Sequence, residues 1–199
     1  MIVPVAHDVS CVWCWIGVNQ VRELRRELGV EFDWQGYELY PEGMPFDPPA
    51  PKPSVEEDRP KTPSRVQLAL AAQKLVLPKV SRPSDMRTHK ALTALEHAKA
   101  TGDLQGAVDA LYDAYWLEGR DLDCVDAVAS HVAPFADSED GVRQAVLEDA
   151  YADKIVAFDE QAYANGVYNV PTFFIGGERY AEQPVTVVRA ALTRELSTA

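Results

Sequence analysis

Apolar and polar positions divide the chain into two mixed ends around a helical middle. Residues Ile2 to Val9 carry Val and Ile around Pro4, as a short strand does, and Ser10 then offers an N-cap hydroxyl. A helix is predicted from Cys11, with apolar positions at Ile16, Val18, Val21, Leu24 and Leu28 and a stop at Gly29. Val30 to Trp34 alternates apolar with polar, and after Gly36 the chain runs on extended through Tyr37 and Leu39. This β-α-β order favours two parallel strands joined by a right-handed crossover.

From Pro41 to Pro53, and again at Pro60 and Pro63, prolines exclude helix and central strand. The stretch reads either as a semi-rigid linker or as a loop lining a binding surface, with Met44 and Phe46 as its contacts. Helical spacing then returns at Ser64 to Leu77, Ser84 to Ala100, Leu104 to Glu118 and Val125 to Val132. A last helix, expected to be broken, runs from Gly141 to about Gly166. Beyond it, Val170 to Ile175 is extended, Gly176-Gly177 is a hairpin turn, Arg179 to Ala181 returns, and Val185 to Leu196 closes the chain as an amphipathic helix. The expected class is α/β. One sheet is built from residues 1–40 and 150–199, a Pro-rich loop spans 41–63, and 64–149 form an all-helical insertion.

Charge narrows the partners. Nineteen Lys and Arg against 31 Asp and Glu give a net charge of -12, which disfavours nucleic acid and anionic membranes. The opening Met1-Ile2-Val3-Pro4-Val5-Ala6 has no basic stretch followed by an apolar run, and no segment reads as a membrane span, so the expectation is a cytoplasmic protein. Three cysteines, two of them in Ser10-Cys11-Val12-Trp13-Cys14-Trp15, make no disulfide framework.

A cysteine in the first turn of a helix lies near unpaired backbone N–H groups and the positive end of the helix dipole, which favours its thiolate. Cys11 has that place, and Cys14, one turn on along the same face, is spaced to attack a mixed disulfide formed by Cys11. Two other readings compete. Zinc wants four ligands, and the chain offers no second ligand pair at zinc-site spacing, so no metal is expected. Two inert, packed cysteines would be oddly placed at a helix start. Cys124 reads as an ordinary helix-start or core residue, and Trp15 as core. His7 lies close to the active-site turn, where packing is the preferred reading; Asp8 could cap the helix or take the Cys14 proton through water. His89, His97 and His131 have no partners at ligand spacing and read as solvated or packed.

The residues from Asp8 through Gly17, Tyr112 to Gly119, Val167 to Ile175 and Ala181-Glu182-Gln183-Pro184 together resemble the DsbA-like thioredoxin-fold oxidoreductases, in particular their cytoplasmic FrnE-like branch. The resemblance implies a thioredoxin fold with a large helical insertion, and a cis Val170-Pro171 bond facing the CxxC. It further implies thiol-disulfide exchange on protein, peptide or small disulfides, with glutathione a candidate co-substrate and no cofactor beyond the redox-active pair. Val170 would offer its backbone to an extended substrate, and Val12 and Trp13 would flank the thiols. Three features depart from the family pattern, one of them Ala181-Glu182-Gln183-Pro184 where Gly-Ala-Gln-Pro is common. Val12 stands where Cys-Pro-Trp-Cys has proline, leaving a backbone N–H at the helix entry, and Tyr168-Asn169 replaces smaller residues. In a reducing cytosol the pair would rest as a dithiol, which favours reduction or isomerisation over net oxidation. The alternatives are a glutathione-dependent enzyme resembling 2-hydroxychromene-2-carboxylate isomerases and kappa-class transferases, and a peptide-binding module using Met44, Phe46 and Trp13.

Overall fold

The computed structural model describes residues 1–46 and 62–198. Strand β1 (Ile2–His7) leads through a short turn into helix α1 (Val12–Leu28), which ends on Gly29 in the left-handed conformation, and β2 (Glu31–Glu38) returns parallel to β1 with Ile2 opposite Glu31. Far along the chain β4 (Thr172–Ile175) pairs antiparallel with β1, and β5 (Glu178–Ala181) pairs antiparallel with β4. Gly176 and Gly177 have φ of 59° and 79°, the positive values that a two-residue I′ turn requires at both centres. Helix α8 (Val185–Thr198) follows. The two ends of the chain thus share one sheet, as the pattern predicts.

That sheet has a fifth strand the pattern did not reveal. The expected helix from Gly141 to Gly166 is instead α6 (Glu139–Leu147), a turn of 3-10 helix, strand β3 (Val156–Ala157) and α7 (Glu160–Ala164). β3 pairs parallel with Tyr37 and Glu38, giving the order β3-β2-β1-β4-β5. Two residues are too few to show any period, so only the free edge of β2 assigns them.

The remaining helices are α2 (Arg65–Ala72), α3 (His89–Thr101), α4 (Leu104–Trp116) and α5 (Val125–Val132). α2 starts on a capping box formed by Ser64 and Gln67 and stops five residues before the predicted Leu77. α3 starts at His89 rather than Ser84, because the intervening turn sends Met86 and Thr88 into the interior. There the Leu122 N–H lies 3.1 Å from Met86 Sδ, and the Thr88 hydroxyl reaches Asp8. The insertion is fastened to the sheet side at several points. A Cβ at Gly36 would stand 3.2 Å from the Leu92 side chain, so glycine there lets α3 approach β2. Trp34 Nε1 donates to Gln105 Oε1 at 2.9 Å, and Arg22 of α1 donates to Asp109 and Asp113 of α4 at 2.7 and 2.9 Å. Among the described residues no helix is long and apolar enough to cross a membrane.

Candidate active site

The end of β1 and the start of α1 build the site. Cys11, the predicted first helical residue, is instead the N-cap of α1 (φ -76°, ψ 122°), the helix starting one position later at Val12, and its half-buried thiol donates to the Val170 carbonyl at 3.4 Å. Cys14, one turn on, is fully buried. Burial first, and then its hydrogen bond and charge interaction with Cys11, push the Cys14 thiol well above the usual range, while a hydrogen bond from the Asp8 N–H at 3.5 Å acts the other way. The pair is therefore asymmetric: one thiol faces the surface and the other is shielded and slow to ionise.

Asp8 lies beneath this turn, completely buried. Its carboxylate accepts from Ser10 N and Ser10 Oγ at 2.7 Å each, from Leu39 N at 2.9 Å and from Thr88 Oγ1 at 2.8 Å. Burial raises the carboxyl above its ordinary range, against these four donors. Neither residue caps α1 through its side chain: the Ser10 hydroxyl, expected as the cap, is spent on Asp8, and no side chain caps the helix start. Asp8 instead ties the site to Leu39, the residue just past β2, and to the helical insertion through Thr88.

From the other end of the chain comes the cis Val170-Pro171 bond. Pro171 packs directly on α1: a Cβ added at Gly17 would lie 3.0 Å from Pro171 Cγ and 3.4 Å from its Cβ. Gly17 is thus what lets the proline loop sit close enough for Cys11 to meet the Val170 carbonyl. Val12 and Trp13 are half-buried at the helix entry. Trp13 and Pro171 line a groove of about 290 Å³ together with Ile16, Leu68, Glu182 and Pro184. Arg65 closes its rim, 5.4 Å over the Trp13 ring and 2.6 Å from Glu182 Oε2.

Met44 and Phe46 are not among the residues lining this groove. Phe46 lies against Tyr40 with centroids 5.1 Å apart and under the Arg87 guanidinium at 4.1 Å, and Arg87 also donates to the Met44 carbonyl at 2.7 Å. The rest of the Pro-rich loop, 47–61, lies outside the described residues. The groove's far wall comes from α2, whose Arg65 and Leu68 the sequence reading missed; a short helix with one buried residue carries little apolar pattern. Trp15 is buried against Trp116, and Cys124 is the exposed N-cap residue of α5, apart from the site.

The histidines read as solvated or packed are in fact partnered. His89 bridges Glu38 at 3.0 Å and Asp149 at 2.8 Å, His97 contacts Asp137 at 2.8 Å, and His131 lies 2.7 Å from the Ala127 carbonyl. His7 is packed, as preferred, with Nδ1 3.0 Å from the Tyr112 hydroxyl, and burial followed by the charge of Lys99 lowers its pKa to about 3. The hydrogen bond to Glu38 leads the causes that raise His89 to about 9. These shifts have opposite consequences. His7 must shed its proton to fold, so its contribution is complete above 6.5 and is lost as pH falls toward 3. His89 gains its partners as a cation, so its contribution is complete below 6.5 and is lost as pH rises through 9. The raised Asp8 carboxyl has the sign opposite to His7 and softens the acid limb. Urea midpoints measured across pH are expected to peak near neutrality, and His89→Gln should flatten the alkaline limb alone.

An N-cap cysteine, a buried second thiol one turn on and a cis-proline loop packed against their helix, on a sheet of this order, define a thioredoxin-fold protein with a dithiol at its first helix. The family model described as the DSBA-like thioredoxin domain matches residues 2–192, and the chain belongs to that family. Among solved structures it is similar to the cytosolic disulfide reductase DsbM from Pseudomonas aeruginosa (17% identity, TM-score 0.66, 100% of each chain covered). It is also similar to the probable DsbA oxidoreductase SCO1869 from Streptomyces coelicolor (22%, TM-score 0.67, 100% of this chain and 91% of that one). A third likeness is to a 2-hydroxychromene-2-carboxylate isomerase (14%, TM-score 0.66, 100% and 97%). No curated protein matches significantly.

Proposed function

We propose that this chain is a thiol-disulfide oxidoreductase, a dithiol reductase or disulfide isomerase of protein, peptide or small disulfides, with Cys11 as nucleophile and Cys14 as resolving thiol. The observation that carries the reading is the asymmetry of the pair: Cys11 Sγ is accessible beside the Val170 carbonyl, and Cys14 is sealed one turn behind it. Cys11 thiolate attacks one sulfur of the substrate disulfide and the other sulfur leaves as a thiolate. Cys14 then attacks Cys11 Sγ, breaking the mixed disulfide and forming the Cys11–Cys14 disulfide. Two electrons have passed to the substrate. Two thiols of a small reductant such as glutathione restore the dithiol.

Each surrounding residue has a part in this scheme. Cys11, the N-cap residue of α1, supplies the attacking sulfur. Asp8, held by Ser10, is a buried carboxyl with a raised pKa next to a buried thiol, suited to receive the Cys14 proton. Val170 and the Pro171 ring present the edge along which a substrate backbone runs, Trp13 is the apolar wall of the groove, and Val12 occupies the helix entry. His7 acts from behind, through Tyr112.

Glutathione as co-substrate is supported by the groove, which offers apolar walls and carries Arg65 at its rim over Trp13, and by the fold-level likeness to DsbM, also solved with GSH. The same groove and the likeness to the carboxylate isomerase favour a second reading, glutathione-dependent isomerisation. That chemistry needs Cys11 alone, so turnover that survives loss of Cys14 selects it.

The test is an equilibrium titration of the wild-type pair in a glutathione redox buffer, followed by thiol alkylation. We expect a single two-electron transition between dithiol and disulfide. A pair that stays reduced at every ratio overturns the proposal.

A further inference from the structure

In the resolving step a thiol with no solvent contact must become a nucleophile. The Asp8 N–H, 3.5 Å from Cys14 Sγ, is aimed at the sulfur that takes the charge. Residue 8 is itself held from the helical insertion. Tyr112 of α4, fully buried, donates its hydroxyl to the Asp8 carbonyl at 2.9 Å, and His7 Nδ1 lies 3.0 Å from the same phenol oxygen. A phenol has one proton, and here the carbonyl takes it. His7 must therefore donate from Nδ1, which assigns that tautomer to a neutral ring.

A buried hydroxyl costs desolvation that a phenylalanine ring in the same space would not. Tyr112 recovers that cost through its bonds to residues 7 and 8, on the strand end that carries the Cys14 contact, and it also interacts with the Cys14 thiol itself. The titratable groups around Cys14 are Cys11 on its own helix, Asp8 from the turn and Tyr112 from α4, with Lys99 of α3 acting on His7.

We propose that Tyr112 is a positioning residue for the resolving cysteine: its hydroxyl, braced by His7, pins the backbone of residue 8 so that the Asp8 N–H meets Cys14 Sγ as negative charge develops there. The inference rests on the oxidoreductase reading. In the step it serves, the Cys14 thiol and the mixed disulfide on Cys11 become the Cys11–Cys14 disulfide and a free substrate thiol, the Cys14 proton ending on the departing sulfur. The helical insertion is thereby part of the redox machinery.

The experiment compares Tyr112→Phe with Trp116→Phe. Trp116 is a matched control, because its Nε1 anchors the same turn from the same helix through the Val9 carbonyl at 2.9 Å, one residue away from the Cys14 contact. Stopped-flow mixing of each reduced protein with a neutral chromogenic disulfide separates attack by Cys11 from release of the second thiol. Tyr112→Phe should leave attack unchanged, slow resolution roughly 3- to 10-fold and move its pH midpoint upward. Trp116→Phe should lower the melting temperature and leave the resolution profile in place. Resolution at the wild-type rate in Tyr112→Phe, or equal slowing in both variants, overturns the proposal. Should Tyr112→Phe fail to fold, His7→Phe removes the brace and leaves the phenol. It should slow the same step, and an unchanged step overturns the proposal equally. Wild-type protein that forms no mixed disulfide instead overturns the oxidoreductase reading and this inference with it.

Discussion

Cys11→Ser is expected to reduce disulfide turnover to the uncatalysed rate, and Cys14→Ser to accumulate a covalent adduct of substrate on Cys11. The two outcomes differ because the two sulfurs are placed differently. Cys11, at the N-cap of α1, is the thiol that a substrate can reach, and a serine there has neither the acidity nor the nucleophilicity to open a disulfide. Cys14 is buried, so its loss leaves the first attack intact and removes only the internal thiol that would release the adduct. Mass spectrometry after incubation with a disulfide-bonded peptide should show the adduct on Cys14→Ser and none on Cys11→Ser. Adduct on Cys11→Ser, or full turnover by both variants, would reject the assignment of roles.

Cys14 and Asp8 are coupled through the same turn. The Asp8 N–H touches the Cys14 sulfur while its carboxylate collects donors from Leu39 just past β2, from the turn and from the insertion. The Asp8 N–H is thus placed to stabilise charge on the Cys14 sulfur, and the carboxylate's donors hold that turn in place. Val12 enters at the same point. In the family motif that position is proline; here it is a half-buried valine packed against the core, so the helix entry is held by packing where a fixed backbone angle would otherwise hold it.

Why the sequence conveyed some of this and not the rest follows from the range over which each signal acts. Helix α1 and strands β1, β2, β4 and β5 were legible because periodicity and the stops at Gly29 and Gly176-Gly177 are local. The cysteine pair was legible because its chemistry depends on one turn of helix. β3 was hidden because two residues carry no period and the strand exists only where Tyr37 and Glu38 offer an edge. The early start given to α3 failed because Met86 and Thr88 are drawn inward by Leu122 and Asp8, contacts no local pattern encodes. The resemblance supplied the cis bond at Pro171, yet the residues that close the groove, Arg65 and Glu182, lie 117 positions apart and meet only in the fold. Met44 and Phe46 read as exposed apolar contacts, and Arg87 claims both of them.

Gly17→Val should disable exchange while leaving most of the fold intact. Glycine inside a helix is a poor choice by about 1 kcal/mol against alanine, so its presence on α1 needs a reason. Pro171 supplies it: even a single Cβ at this position would press on the ring at 3.0 Å, with Phe173 Cζ behind at 3.8 Å, and the two γ-methyls of valine would need space the proline now fills. The ring must move away from α1, taking Val170 and its carbonyl from the Cys11 thiol 3.4 Å away. Overpacking of this kind costs about 1 to 3 kcal/mol in stability. A displacement near 1 Å at the reacting sulfur costs roughly 10²-fold in rate. Exchange should therefore fall far more than the urea midpoint, and Gly17→Ala should fall between valine and wild type in rate, with part of its packing cost offset by better helix propensity. Equal rates in Gly17→Val and wild type would mean that the Pro171 loop does not set the geometry at Cys11. A loss of rate matched by collapse of the urea midpoint would make Gly17 a determinant of folding, with no separate hold on the thiol.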